Sequence, residues 1–298
     1  MNASATERAI RFDCEGDALP GILHAPGGEA RGGVGMIIVV GGPQYRIGSH
    51  RQFVHLGRAV AAAGFPVLRF DYRGLGDAEG APRDFLSVDK DIAAACAALR
   101  AERPDVTRIA GWGLCDAASA LARFVRTAGP MDALILANPW VHCGAGSISL
   151  AAYYRARLTS SAFWRSLVRG EVGLPGIPKA EPRHRAPDAS GGDDPSRADP
   201  APPAMLPGAD GAYVDEMRRG LEGFPGPIYL LSSGRDLTAD EFRDRLRRDR
   251  RWRRVRKDGI VEEHRLTAAD HTFSSLEAKE DVAQQTARWL TQIGSGNP

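Results

Sequence analysis

Gly111-Trp112-Gly113-Leu114-Cys115-Asp116-Ala117-Ala118-Ser119 stands between a short apolar run and an alanine-rich stretch, and its reading decides the fold. The run before it, Val106 to Trp112, has the length and composition of a strand covered on both faces. After it, Ala118, Leu121 and Val125 recur on one side of a helix spanning Ala117 to Ala128. A reactive side chain on so tight a strand-to-helix turn is held clear of the sheet. The residues two before and two after it must be small so that strand and helix can approach, and here they are Gly113 and Ala117. The side chain at the turn is Cys115, at a helix N-terminus whose dipole and unpaired N–H groups favour the reactive thiolate. A free cysteine is also commonly just a small buried hydrophobe, so the rest of the chain has to decide its role.

Outward from that turn the same alternation repeats. Residues 8 to 25 alternate loosely, with a break at 16 to 18, as an antiparallel edge hairpin would. Gly35 to Val40, closed by Gly41 and Gly42, reads as a buried parallel strand. Phe53, Leu56, Val60 and Ala63 then mark one helix face, with Gly64 at its C-cap. Phe65 to Phe70 is a strand, Phe85 to Leu99 a helix stopped before Pro104, and Met131 to Asn138 a further strand. Strands resume at 227–232 and 260–266, and a last helix carries Val282, Thr286, Trp289, Leu290 and Ile293 on one face. The pattern predicts an α/β fold, a mostly parallel central sheet with helices on both faces, and a ligand site outside the carboxyl ends of the strands.

The alternation breaks between Trp140 and Pro225. Residues 148 to 172 carry aromatic and aliphatic side chains at helical spacing, while nine prolines with many Gly, Asp, Arg and Ser fill 173–211. That composition buries too little apolar surface to offset its ordering entropy, so a mobile loop is expected there. The division predicted is a core of 1–140 and 225–298 with an insertion at 141–224 acting as a helical cap. Tyr153, Tyr154 and Trp164 are candidates to line a substrate pocket, against the alternatives that they pack the cap or meet a second copy in a homodimer.

The chain has 298 residues, with 39 Lys+Arg against 37 Asp+Glu for a formal charge of +2, so its overall field gives no reason to expect nucleic acid as a partner. No apolar run approaches the roughly 20 residues of a membrane span, and the N-terminus lacks the basic start and apolar core of a secretory leader, so a cytoplasmic protein is expected. Cys14, Cys96, Cys115 and Cys143 form no C-x-x-C pair, and neither zinc nor a disulfide framework is suggested. One segment departs from the neutral average. Arg243 to Lys257 holds ten basic residues against two acidic ones; a solvated helix face is the ordinary reading, and peripheral contact with a membrane surface, a phosphorylated carrier or an acidic partner is the functional one, with Trp252 as its best support.

A thiol nucleophile needs a base, and the base an orienting acid. His271, in a loop after the last strand and before the last helix, fits the base. Asp236 follows the strand 227–232 and could reach the imidazole, while its rival Asp270 stands where a helix cap would. Donors for a developing oxyanion are expected from the backbone N–H groups of Asp116 and Gln44, and Gly42 lets backbone approach a substrate closely. Asp71-Tyr72-Arg73-Gly74-Leu75-Gly76-Asp77 lacks the spacing of a phosphate loop and reads as a structural turn. Asp116 presents a conflict: its carboxylate would complement the helix dipole, yet beside Cys115 it would raise the thiol pKa.

The Gly41-Gly42-Pro43-Gln44 loop, the Asp71 to Gly76 turn, the G-x-C-x-A elbow, an aspartate after a late strand and a histidine before the last helix together resemble the α/β-hydrolases over nearly the whole chain. Within them, the elbow, the Val39 to Arg46 segment and Trp140-Val141 resemble exosortase A system-associated hydrolase 1. The resemblance implies Cys115 as nucleophile, Asp236 as acid, His271 as base and the Gln44 and Asp116 N–H groups as oxyanion hole. It also implies a cytoplasmic bacterial setting beside exopolysaccharide biosynthesis and cell-surface sorting. Two departures matter: cysteine replaces the usual serine, and Ala117 replaces the last elbow glycine. The first favours thioester chemistry or acyl transfer over oxyester hydrolysis. The expected function is therefore a hydrolase or acyltransferase acting on an ester or thioester, including a glycan-linked one, with no metal or organic cofactor. The competing expectation is a binding or assembly protein in which Cys115 is inert.

Overall fold

The computed structural model describes residues 5–42, 44–127, 129–141 and 211–296. In chain order the elements are β1 (Thr6–Cys14), β2 (Asp17–Ala25), β3 (Val34–Val39), α1 (Gln52–Ala62), β4 (Val67–Phe70), α2 (Asp89–Glu102), β5 (Arg108–Leu114), α3 (Asp116–Phe124) and β6 (Ala133–Ala137). They are followed by α4 (Ala212–Gly223), β7 (Ile228–Ser233), α5 (Leu237–Arg248), β8 (Ile260–Leu266) and α6 (Leu276–Gly294). The strands form one sheet in the order β1-β2-β4-β3-β5-β6-β7-β8. β1 with β2 and β2 with β4 are antiparallel, and every other neighbouring pair is parallel.

The continuous apolar runs become continuous strands because both sheet faces are covered. β3, β4, β6 and β7 are buried at every position. Alternate side chains feed two cores: Ile37 and Val39 pack with α2, α3, α4 and α5, while Met36 and Ile38 pack with α1 and α6. Each fully buried aliphatic or aromatic side chain stabilises by about 1.5–3 kcal/mol relative to exposure. Edge-to-face pairs such as Phe53–Trp112, with centroids 5.8 Å apart, lock the central strand against α1. On the opposite face β5 presents Gly111 and Gly113, and α3 settles directly on them. A Cβ at Gly113 would lie 2.7 Å from the Ala117 carbonyl carbon, so this position has to be glycine.

Three readings of the sequence need correction. First, the core does not wait until residue 225 to resume: α4 buries Tyr213, Val214, Met217 and Leu221 in the same cluster as α3 and the sheet, so 212–223 is a core helix rather than part of a cap. Second, Trp252 is no surface anchor. It is fully buried, edge-on to Phe242 with centroids 5.6 Å apart, and the basic run is split between α5 and a short helical turn at Trp252–Arg254. Third, α2 starts at Asp89, and Phe85 and Val88 are buried in the turn ahead of it. The remaining insertion, 142–210, with the expected mobile loop, Cys143, Tyr153, Tyr154 and Trp164, lies outside the described residues. Among the described residues, no helix is long and apolar enough to cross a membrane.

Candidate active site

The site residues sit on loops at the carboxyl edge of the sheet. Cys115 is the single residue between β5 and α3, at φ 62° and ψ −122°, a conformation that an L-residue adopts only when its surroundings impose it. Its N–H continues the ladder to Ala137 O at 2.9 Å. Its carbonyl accepts from Trp140 N at 3.2 Å and from Ser119 N at 3.3 Å, and the Ser119 hydroxyl donates to Trp140 O at 2.6 Å. The turn is thus clamped by the loop after β6 as well as by its own helix.

Cys115, Asp116, Gly42, Gln44, Trp140 and His271 line one cavity of about 230 Å³. His271 comes from the loop between β8 and α6, and its Nδ1 lies 2.9 Å from Asp236 Oδ2. Asp236, almost fully buried, is also the N-cap of α5: Oδ1 accepts from Thr238 N at 3.2 Å and Oδ2 from Ala239 N at 3.1 Å. Asp270 makes no hydrogen bond to the His271 imidazole among the described residues and instead binds the backbone and hydroxyl of Ser274 within its own turn. Cys115, Asp236 and His271 therefore meet at one edge of the sheet. Among the described residues no hydrogen bond joins the Cys115 Sγ to the imidazole. Nor does any group of three or more His, Cys, Asp or Glu gather as a metal site there.

The charges around Cys115 run against the thiolate expected from a helix N-terminus. Burial pushes the thiol pKa far up, the Asp116 carboxylate adds to the shift, the Asp116 N–H opposes it, and Asp236 contributes further in the raising sense. At neutral pH such a group keeps its proton, and to act as a nucleophile it would have to give that proton up. His271 is the neighbour able to take it. Burial pulls the imidazole pKa down, but the hydrogen bond and charge of Asp236, with the charges of Asp116 and Asp270, outweigh burial and leave it raised.

Asp116 does more than start the helix. One oxygen accepts from Gly42 N at 2.8 Å and the other from Ala117 N at 3.0 Å, so the carboxylate ties the loop after β3 to the Cys115 turn. Burial raises its own pKa, which those two N–H groups and the nearby His271 partly counter. Replacing it by asparagine keeps one acceptor for the loop and removes the charge. Asp116→Asn is expected to alkylate with iodoacetamide up to about tenfold faster at pH 8 than the parent protein, because the thiolate fraction rises when a like charge is withdrawn. An unchanged rate would assign the high thiol pKa to burial alone. The other end of the loop is held by Arg46, whose N–H donates to the fully buried Asp71 at 2.6 Å and whose guanidinium bridges Asp71 and Asp77. The Gln44 side chain turns toward the start of α1, accepting from Ser49 N at 3.2 Å.

Asn138 escaped the sequence reading. Fully buried at the end of β6 with φ 44°, it accepts from Ser233 N at 2.8 Å, and its amide donates to Ser233 Oγ at 2.8 Å and to the backbone carbonyl of His271 at 3.0 Å. Ser233 Oγ in turn donates to Asp270 O at 2.7 Å. One asparagine, a residue that tolerates positive φ, therefore fixes the loop that carries His271. Truncation to alanine strands buried partners at about 1–3 kcal/mol each. Asn138→Ala should lower the melting temperature by several degrees and reduce kcat about tenfold or more with little change in KM, because the imidazole loses its anchor. A variant that is destabilised yet catalytically normal would contradict that role.

No protein-family model matches the chain, and no curated protein matches it. Solved structures do. An esterase from Pyrococcus furiosus superposes with a TM-score of 0.61 over 97% of this chain and 93% of its own at 14% identity. An esterase from Pyrobaculum calidifontis gives 0.63 over 98% and 86% at 15% identity. The fold is that of the α/β-hydrolases. A fungal esterase from Rhizomucor miehei extends the likeness, with a TM-score of 0.61 over 99% of this chain and 86% of its own at 16% identity. At such identities an α/β-hydrolase likeness speaks to architecture, and the chemistry has to come from the site.

Proposed function

We propose that this protein is a hydrolase or acyltransferase that opens an ester or thioester through an acyl-enzyme on Cys115. In the first half-reaction the Sγ–H proton passes to His271 Nε2 as sulfur attacks the carbonyl carbon. The tetrahedral oxyanion is held by the N–H groups of Gln44 and Asp116, and its collapse expels an alcohol or thiol that takes the proton back from His271. In the second, His271 draws a proton from water or an acceptor hydroxyl as its oxygen attacks the thioester carbonyl, and collapse of the tetrahedral intermediate expels the Cys115 sulfur, which takes that proton back from His271. Asp236 keeps Nδ1 protonated and Nε2 free throughout. No step calls on a metal or an organic cofactor.

The observation that carries this reading is the 2.9 Å contact of His271 with Asp236 on the cavity shared with the strained Cys115 turn. Thioesters and transfer to a hydroxyl suit a sulfur nucleophile best. The motif resemblance adds a setting in cytoplasmic assembly of exopolysaccharide or another cell-surface glycan, and a glycan-linked acyl group as substrate. Tyr153, Tyr154 and Trp164 are proposed to bind the apolar part of that substrate, with contact to a second copy of the chain as the alternative role for the insertion. One observation favours the alternative of an inert binding or assembly protein: among the described residues no hydrogen bond joins the buried thiol to the imidazole, and burial with the Asp116 charge pushes its pKa up. Intact mass of the parent protein and Cys115→Ala after brief exposure to acyl thioesters and activated esters separates the two. An acyl adduct on the parent, absent from the variant, supports covalent catalysis. No adduct and no turnover across the panel would favour the binding role.

A further inference from the structure

The basic run resolves into something more specific than a charged helix face. Arg243 and Arg247 from α5, Arg256 from the segment Val255–Gly259 and Arg265 from β8 line a cleft of about 350 Å³ with Leu246 and Glu263. It opens beside β8, the last strand of the sheet. Arg265 lies outside the basic run, so the fold and not the sequence brings the fourth guanidinium to this place. We propose that this cleft is a binding site for a phosphate or diphosphate group, separate from the Cys115 cavity and independent of the reading given to Cys115.

The argument rests on how the arginines are held. Arg243 is tethered to Asp240 on its own helix, and its side chain is only 11% exposed. Its Nε is buried with no acceptor among the described residues. Arg247 is steadied by Asp244 at 2.9 Å. Arg256 and Arg265 have no ion-pair partner among the described residues. Among the described residues Glu263 is the only carboxylate lining the cleft, and it lies 3.5 Å from the Ser232 hydroxyl. Asp240, Asp244 and Glu263 offset part of the charge, while Arg256 and Arg265, without an ion-pair partner among the described residues, leave the cleft with a net positive charge that an anion would complement. Guanidinium forks arriving from three elements suit a tetrahedral, multiply charged oxyanion, which accepts from several directions, better than a carboxylate, which accepts in one plane.

Titration calorimetry of the full chain with inorganic pyrophosphate and phosphate, at fixed ionic strength with chloride as reference, tests the site. Three variants accompany it: Arg256→Ala/Arg265→Ala in the cleft, Arg250→Ala/Arg253→Ala on the exposed basic surface outside it, and Cys115→Ala. The expected result is saturable one-site binding that weakens about tenfold or more in the cleft pair, as lost charge-assisted hydrogen bonds require, and is unchanged in the other two. Sedimentation with phosphatidate vesicles, against phosphatidylserine vesicles of equal charge, identifies the source. Cleft-dependent binding only to phosphatidate vesicles would place the phosphate on a lipid, and competition by pyrophosphate would place it on a soluble ligand. Equal losses in both arginine pairs, or no saturable binding to any of these probes, would overturn the proposal.

Discussion

Asp236→Asn should leave the protein folded and lower kcat by about 10⁴-fold. The two halves of this result come from two duties of one carboxylate. As N-cap of α5 it accepts from Thr238 and Ala239, and asparagine caps a helix about as well as aspartate, so the melting temperature should move by no more than a few degrees. As partner of His271 it accepts the Nδ1 proton at 2.9 Å. An amide with its oxygen committed to the helix turns its NH₂ toward the ring, which then carries its proton on the wrong nitrogen. The pH dependence gives a second readout. The parent imidazole pKa is raised above the ordinary histidine value, so kcat/KM should fall as pH drops through that raised value. In the variant the acidic limb should move to lower pH, because the hydrogen bond and charge that held the proton are gone. Measured rates that survive the change, or an unshifted limb, would remove Asp236 from the mechanism.

The second large effect is expected at Gly41. An added Cβ would lie 2.1 Å from Asp116 Oδ1, 2.9 Å from Leu114 O and 3.0 Å from Ala117 N. Two of the three atoms are backbone of the Cys115 turn and cannot swing away. Gly41→Ala must therefore push the loop after β3 outward, breaking the Gly42 to Asp116 bond and moving the Gln44 N–H from the cavity. Overpacking of this kind costs about 1–3 kcal/mol of stability, and a displacement near 1 Å at an oxyanion donor costs about 10²-fold in rate. Thermal melting and kcat on an activated thioester read both. Gly42→Ala is the useful comparison: it has a positive φ but open space around its Cα, so its strain is conformational and its activity loss should be smaller. Should Gly41→Ala behave like the parent protein, the loop would not be part of the reacting site.

What the sequence disclosed follows burial on both faces. β3, β5, β6 and β7 were readable because nothing polar interrupts strands enclosed by two helical layers, and α6 because Val282, Trp289 and Ile293 keep a clean period against polar neighbours. The candidate acid, base and nucleophile were readable from their places at strand ends. α4 was hidden because its buried set, Tyr213, Val214, Met217 and Leu221, follows directly on a proline-rich run that dominated the composition of the region. α5 was hidden by charge: Ala239, Phe242 and Leu246 form its buried stripe, but arginines and aspartates fill the places between. Asn138 gave no signal because its partners, Ser233 and His271, are distant in sequence. The thiolate expectation failed for a related reason. A helix terminus is visible in one dimension, whereas the burial that opposes it exists only after the sheet, the loop after β3 and Asp116 have closed around the sulfur.

The enclosure of α3 also decides where motion can occur. Every residue of this helix except Arg123 is buried, Arg123 is tied to Glu216 at 2.8 Å, and α4 presses so closely that a Cβ on Gly220 would lie 1.9 Å from Ala122 O. Amide protons in such a helix exchange with solvent only when the whole domain opens, many orders of magnitude more slowly than an enzyme turns over. On the timescale of the proposed reaction the sulfur is thus mounted on a stationary platform. Among the described residues, the motions that would open the cavity fall to the other walls, the Gly41 to Gly48 loop and the turn that carries His271.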